Sequence, residues 1–154
     1  VGLGTPSAPA QRRIERDLAR EAIASHLQTD LEKRFEVGGL VEAVIRALLY
    51  TRLPEQSVDE RGFRVLQAIR KLQPANRRLP FGELKVQFRD QYLLLRLDEE
   101  RAVRAIPRLL PQDERQRANA FDAIREVVTA SGSLSEPAET RLKRLAGLFG
   151  VPSP

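Results

Sequence analysis

Apolar positions recur three and four residues apart along most of the chain, the spacing of one helix face, and no window alternates with period two over a strand's length. Ile14, Leu18 and Ala22, then Ile23, Leu27, Leu31 and Phe35, fall four apart. Read as a stripe along one side, they predict a long helix, or two with a break near Thr29-Asp30, ended by Gly38-Gly39. Leu40, Val41, Val44, Ile45, Leu48 and Leu49 predict the next helix. Ser57 and Glu60 then have the Ser-x-x-Glu spacing in which each side chain satisfies the other's free backbone N–H, opening a helix that carries Phe63, Leu66 and Ile69.

Gln73-Pro74-Ala75-Asn76 reads as a loop. A further helix runs from about Pro80 through Leu84, Phe88, Tyr92 and Leu95, because the first turn has no use for the N–H that proline lacks. Asp98 is placed as an N-cap ahead of Glu99 and Glu100, whose charges suit the positive end of a helix. That helix carries Val103 and Ile106 inward and has to bend or stop at Pro107, while Pro111 opens the next. Phe121, Ile124, Val127 and Val128 lead to Ser131-Gly132, a Ser133-Leu134-Ser135-Glu136 start signal, and Leu142, Leu145 and Leu148.

This last stretch repeats the grammar of Ile45 to Ile69 between Ile124 and Leu145. The expectation is therefore an all-α bundle of about seven helices with two pseudo-symmetric hairpins, in which Ile45 matches Ile124 and Ile69 matches Leu145. Residues 1–10 read as a flexible leader, 11–150 as one helical domain and 151–154 as a frayed tail.

Composition narrows the chemistry. Without cysteine the chain forms no disulfide, zinc-thiolate site or iron–sulfur ligation and offers no thiol nucleophile. No apolar run approaches the ~18 to 20 residues of a membrane span, and the opening ten residues lack a signal-peptide core, so a cytoplasmic location is expected. The chain starts at Val1 and contains no methionine, which reads as a fragment of something longer. Its net charge of +5 is carried by 22 arginines against 4 lysines; arginine's planar fork suits carboxylate and phosphate partners.

His26 is the only histidine, so a Ser-His-Asp arrangement has to run through it, and no motif surrounds it. The glycines form no phosphate-binding loop. Hard oxygen ligands exist in Asp59, Glu60, Asp98, Glu99, Glu100, Asp113, Glu114, Glu136 and Glu139, but nearly all fall at helix starts, where the helix dipole favours a carboxylate without a metal. No metal or other cofactor is expected. Between Arg61 and Gly82 there is no acid, while Arg61, Arg64, Arg70, Lys71, Arg77 and Arg78 are basic. Arg70, Lys71, Arg77 and Arg78 are the candidate partner-binding residues. Between Arg61 and Arg78 the one aromatic residue that could stack on a base is Phe63, which disfavours nucleic acid.

Leu109-Leu-Pro-Gln-Asp-Glu-Arg115, Ala120 to Val128, Ala130 to Glu136 and Arg144-Leu-Ala-Gly-Leu-Phe-Gly150 resemble the tellurite-resistance TerB-like helical domain. That resemblance implies two related helical halves. The family's Asp-Gly turn is replaced by Ser131-Gly132 in one copy and Pro54-Glu55 in the other, although Glu136 and Glu60 sit where its trailing Glu would fall. Leu40 to Tyr50, Ser57 to Phe63, Glu83 to Arg89 and Leu97 to Glu100 resemble the C-terminal region of an uncharacterised bacterial polyhydroxyalkanoate-synthase-like family. In that family an α/β-hydrolase-like part precedes the helical part, which implies that no catalytic residue lies in this stretch.

The resulting expectation is a non-catalytic helical interaction or regulatory domain that docks onto the upstream domain of a larger protein, another protein or a second copy. The alternative is a divalent-cation-binding sensor module using Asp59, Glu60, Glu136 and Glu139. An enzyme fragment fits the depleted chemical inventory least.

Overall fold

The structure, a computed structural model, describes residues 8–52, 70, 71, 73, 75–130 and 132–152. Among them there are seven α-helices and no strand, as the periodicity predicts. They are α1 (Ala8–Glu32), α2 (Leu40–Arg52), α3 (Phe81–Leu97), α4 (Glu99–Arg104), α5 (Ile106–Leu109), α6 (Glu114–Thr129) and α7 (Glu136–Phe149). The chain divides into two units, residues 1–33 and 34–154.

The first unit is α1, a single helix without the break anticipated near Thr29-Asp30. It begins at Ala8, inside the expected leader. Its apolar residues do not form one stripe. At ~100° per residue each run of four-apart positions drifts ~40° per step, and Ile23 starts the second run ~180° from Ile14. Ile14, Leu18, Ile23 and Leu27 are all exposed within this unit.

In the second unit α2 is the central helix and touches each of α3 to α7. Ala43 to Leu48 are buried without interruption, because neighbours surround α2 on every side. The glycines assigned to end α1 instead start α2. Glu42 folds back so that its Oε2 accepts the Gly39 N–H at 2.8 Å, the glutamate half of a capping box. Gly38 has φ +139°, and a Cβ there would lie 2.9 Å from Glu42 Cγ, so both backbone and space require glycine.

The starts of α4 and α7 lie where their sequence signals place them. Asp98 caps α4 by accepting the Arg101 N–H at 3.1 Å, and Ser135 caps α7 by accepting the Ala138 N–H at 3.3 Å. Pro107 separates α4 from α5 by sitting in the first turn of the latter. Pro111 does not open α6, which starts at Glu114 under Asp113, whose Oδ1 accepts the Arg115 N–H at 2.9 Å. A carboxylate that accepts two first-turn N–H groups sets the start more firmly than a proline that removes one.

Of the two expected hairpins, α6 and α7 form one, with Phe121, Ile124, Val128, Leu142 and Leu145 buried. The first helix of the other is α2, where Ile45 is buried as Ile124 is. Its second helix, with Phe63, Leu66 and Ile69, lies outside the described residues. The tail is tied down as far as Val151: Gly150 takes φ +68°, its N–H bonds to Gly147 O at 3.1 Å, and Val151 N–H bonds to Ala146 O at 3.0 Å.

Candidate docking surface

Arginines fix the helix ends of the second unit. The last four carbonyls of a helix have no intrahelical partner, and a guanidinium fork can bond one while reaching a second element. Arg141 Nη1 donates to Tyr50 O at 2.8 Å in the last turn of α2, and Arg52 Nη2 to Val127 O at 3.3 Å in the last turn of α6. Arg117 donates through Nε to Phe149 O at 3.1 Å, and through Nη1 to Pro111 O and Gln112 O at 3.0 and 2.9 Å. Arg46 is wholly buried in α2 and donates to Gln91 Oε1, Phe35 O and Ala102 O. Burial lowers its pKa to about 10 against the opposing pull of Glu42, so it stays charged at neutral pH.

A second polar cluster joins α2, α4 and α7. Arg144 grips Glu100 with two bonds of 3.0 and 2.6 Å, and Arg141 pairs with Glu99 at 3.2 Å while its guanidinium lies 4.5 Å from the centroid of the Tyr50 ring. The fork on Glu100 holds that carboxyl below the usual carboxylate range. Every member is engaged with another, so the cluster clamps α7 and offers no spare acid or base.

The residues singled out from sequence fall in several settings. Lys71 and Arg78 are exposed, Arg70 is half-buried, and Arg77 belongs to the short turn Ala75–Arg77. Arg61, Arg64, Asp59 and Glu60 lie outside the described residues. Glu136 and Glu139 are exposed in the first turn of α7. Among the described residues no three His, Asp or Glu side chains come together as a metal would need. An open hollow of about 500 Å³ on α1 is lined by Arg12, Arg13, Arg16, Asp17 and Arg20, all from one helix, and so has no opposing wall.

The surface that stands out was not anticipated. On α3 the inward side carries Leu84, Gln91 and Leu95, all buried. Opposite them, at ~100° per residue, Val86, Leu93 and Leu97 fall within ~40° of one another. They are 47%, 38% and 37% exposed. An adjoining ridge, equally narrow, carries Lys85, Arg89 and Arg96, all exposed. Tyr92, 38% exposed, borders it. Asp90 is the one acid between Lys85 and Leu97; it is buried and engaged by Arg34 at 2.7 Å and Arg89 at 3.5 Å. Of the series that predicts this helix, Leu84 and Leu95 are buried, Phe88 is half-buried and Tyr92 is exposed; Val86, Leu93 and Leu97 are apolar residues outside that series, and they were the available signal.

No family model matches the chain, and no solved structure matches it. Over 151 residues, 98% of its length, it is 36% identical to a Rhizobium meliloti protein named as an uncharacterized protein in the ackA 5′ region. The chain spans about one fifth of that relative, 21% of its length. Among the described residues no helix is long and apolar enough to cross a membrane.

Proposed function

We propose that this chain is a non-catalytic helical interaction domain of a longer protein and that it docks through the outer face of α3. The observation that carries the reading is the row Val86, Leu93 and Leu97 beside the row Lys85, Arg89 and Arg96. An apolar ridge next to a cationic one suits a partner helix with an apolar stripe and an acidic flank. The partner is placed in the remainder of the longer protein, in keeping with a relative five times the length of the matched segment. The likeness to polyhydroxyalkanoate-synthase-like proteins supports an α/β-hydrolase-like body as that remainder, with this domain in a cytoplasmic protein.

The test uses this chain and the remainder of its parent as two separately expressed proteins, with binding followed by calorimetry. Leu93→Glu, and Arg89→Glu with Arg96→Glu, should each weaken binding at least about tenfold, the equivalent of about 1.4 kcal/mol. Both changes are at exposed positions, so helix content should be kept. Unchanged affinity in both variants rejects the α3 face as the docking surface.

A further inference from the structure

We infer that α1 is a self-association helix, pairing antiparallel with α1 of a second copy about a two-fold axis between Arg20 and Glu21. A 25-residue helix with four exposed large aliphatic side chains gains little from its own turns and most from covering its apolar surface. The charge distribution selects the partner. From Arg12 to Arg20 there are four arginines against Glu15 and Asp17, a net charge of +2; from Glu21 to Glu32 there are three acids and no lysine or arginine, a net charge of −3. Antiparallel pairing sets the basic half of each copy on the acidic half of the other. Parallel pairing sets each of Arg12, Arg13, Arg16 and Arg20 level with its own counterpart.

The positions of the apolar residues agree with the same axis. With the two-fold between Arg20 and Glu21, Leu18 is level with Ile23 of the second copy at the edges of the contact, while Ile14 and its Leu27, each ~110° from the middle of the contact, are level but lie outside it. On the helix surface Leu18, Ala22, Ala19 and Ile23 follow one another across an arc of ~140°, so the two alanines lie in the middle of the contact and let the backbones approach while Leu18 and Ile23 close its two sides. Arg12 comes beside Asp30 of the second copy on one flank, and Glu15 is level with its His26 along the seam. Level pairs in this register contain no two like charges. This contact uses neither the α3 face nor its proposed partner.

The absence of cysteine makes the register readable by crosslinking. In the antiparallel pair the two copies of a given residue separate with distance from the axis, and the two copies of position 26 lie ~16 Å apart along the helices, at 1.5 Å per residue. That is beyond the Cα separation of ~7 Å that a disulfide tolerates. Light scattering should find the unaltered chain dimeric, and Leu18→Glu with Ile23→Glu should make it monomeric with its helix content kept. Ala19→Cys should crosslink with itself on mild oxidation. Glu15→Cys and His26→Cys should crosslink when mixed with one another and neither should do so alone. A monomer at every concentration overturns the proposal, as does self-crosslinking of His26→Cys, which reports a parallel pair.

Discussion

Arg46 and Gln91 meet inside the second unit through a hydrogen bond of 2.8 Å from Nε to Oε1, with both residues buried and no carboxylate bonded to the guanidinium among the described residues. Arg46 Nη1 adds Phe35 O at 2.8 Å and Ala102 O at 3.0 Å, so a single side chain of α2 ties the segment before α2 to α3 and α4. A buried ion normally needs an opposite charge. Here two backbone dipoles and one amide take that place, and the cost is seen in Nη2, buried without a hydrogen-bond partner among the described residues, and in the lowered pKa.

Replacing Arg46 by Leu should cost about 3–5 kcal/mol, because three buried acceptors each lose a partner at about 1–3 kcal/mol apiece less what the apolar replacement regains. Gln91→Leu should cost about 2–3 kcal/mol, since it strips a bond from a charged donor. The two residues are in contact, so the double variant should lose at least about 1 kcal/mol less than the sum of the singles. Urea unfolding of all four proteins checks this. Strict additivity would show that the pair is not energetically coupled.

The Arg144–Glu100 clamp makes stability depend on acid. The folded-state pKa of Glu100 lies below its ordinary value of 4.5, chiefly through the hydrogen bonds from Arg144. A carboxyl depressed on folding contributes stability that is complete above the unfolded value and is lost as pH falls through the folded one. Thermal unfolding followed downward from pH 6 should therefore show a decline beginning near 4.5, and Glu100→Gln should flatten that part of the curve. Equal slopes in the two proteins would remove Glu100 as a contributor. Arg46 gives a slope of the same sign at the other end of the scale: burial lowers its folded pKa to about 10, so it adds no slope well below that value and stability rises with pH above it, as the folded state is relieved of a buried charge.

The helical periodicity made α2, α6 and α7 legible, because their inward residues are apolar and recur every three or four positions. Asp98 was legible for a different reason: its short acceptor points at a first-turn N–H, a local signal that no tertiary contact has to supply, and the Ser133–Glu136 signal located the start of α7, although the cap is Ser135. Arg46 was not. Periodicity places it inside α2, but only the arrival of Phe35 O, Gln91 and Ala102 from distant parts of the chain makes an arginine tolerable there. The α3 face was hidden for the converse reason, since Leu93 and Leu97 look like core until Leu84, Gln91 and Leu95 are seen to fill the inward side. The alternation of Ile14, Leu18, Ile23 and Leu27 suggested one stripe because spacing of four was counted without the ~40° drift per step.

Arg117 should be irreplaceable by lysine. Its three bonds reach Phe149 O at the end of α7 and Pro111 O and Gln112 O ahead of α6, in directions set by the planar fork. A single ammonium cannot span them, so Arg117→Lys should cost about 1–2 kcal/mol by chemical denaturation, at about 0.5–1.5 kcal/mol for each bond lost. A loss below the error of the measurement would mean that the solvent satisfies these carbonyls as well as the guanidinium does.

Glycines to alanine should separate backbone need from helix propensity within one protein. Gly150 ends α7 at φ +68°, where a Cβ meets only Arg117 atoms at 3.8 Å, so Gly150→Ala carries the left-handed strain alone and should cost about 1–2 kcal/mol. Gly38 combines φ +139° with a contact of 2.9 Å to Glu42 Cγ, and relieving it means releasing the cap that Glu42 provides to Gly39. Gly38→Ala should therefore cost more than Gly150→Ala by about the value of a cap, ~1 kcal/mol. Gly147 lies exposed within α7 with nothing near its absent Cβ. There alanine removes freedom from the unfolded chain and adds helix propensity, and Gly147→Ala should stabilise by about 0.5–1 kcal/mol. The order Gly147→Ala, Gly150→Ala, Gly38→Ala from most to least stable is the result to look for in urea midpoints at constant slope; a destabilising Gly147→Ala would mean that α7 is covered there by something the chain meets in its folded state.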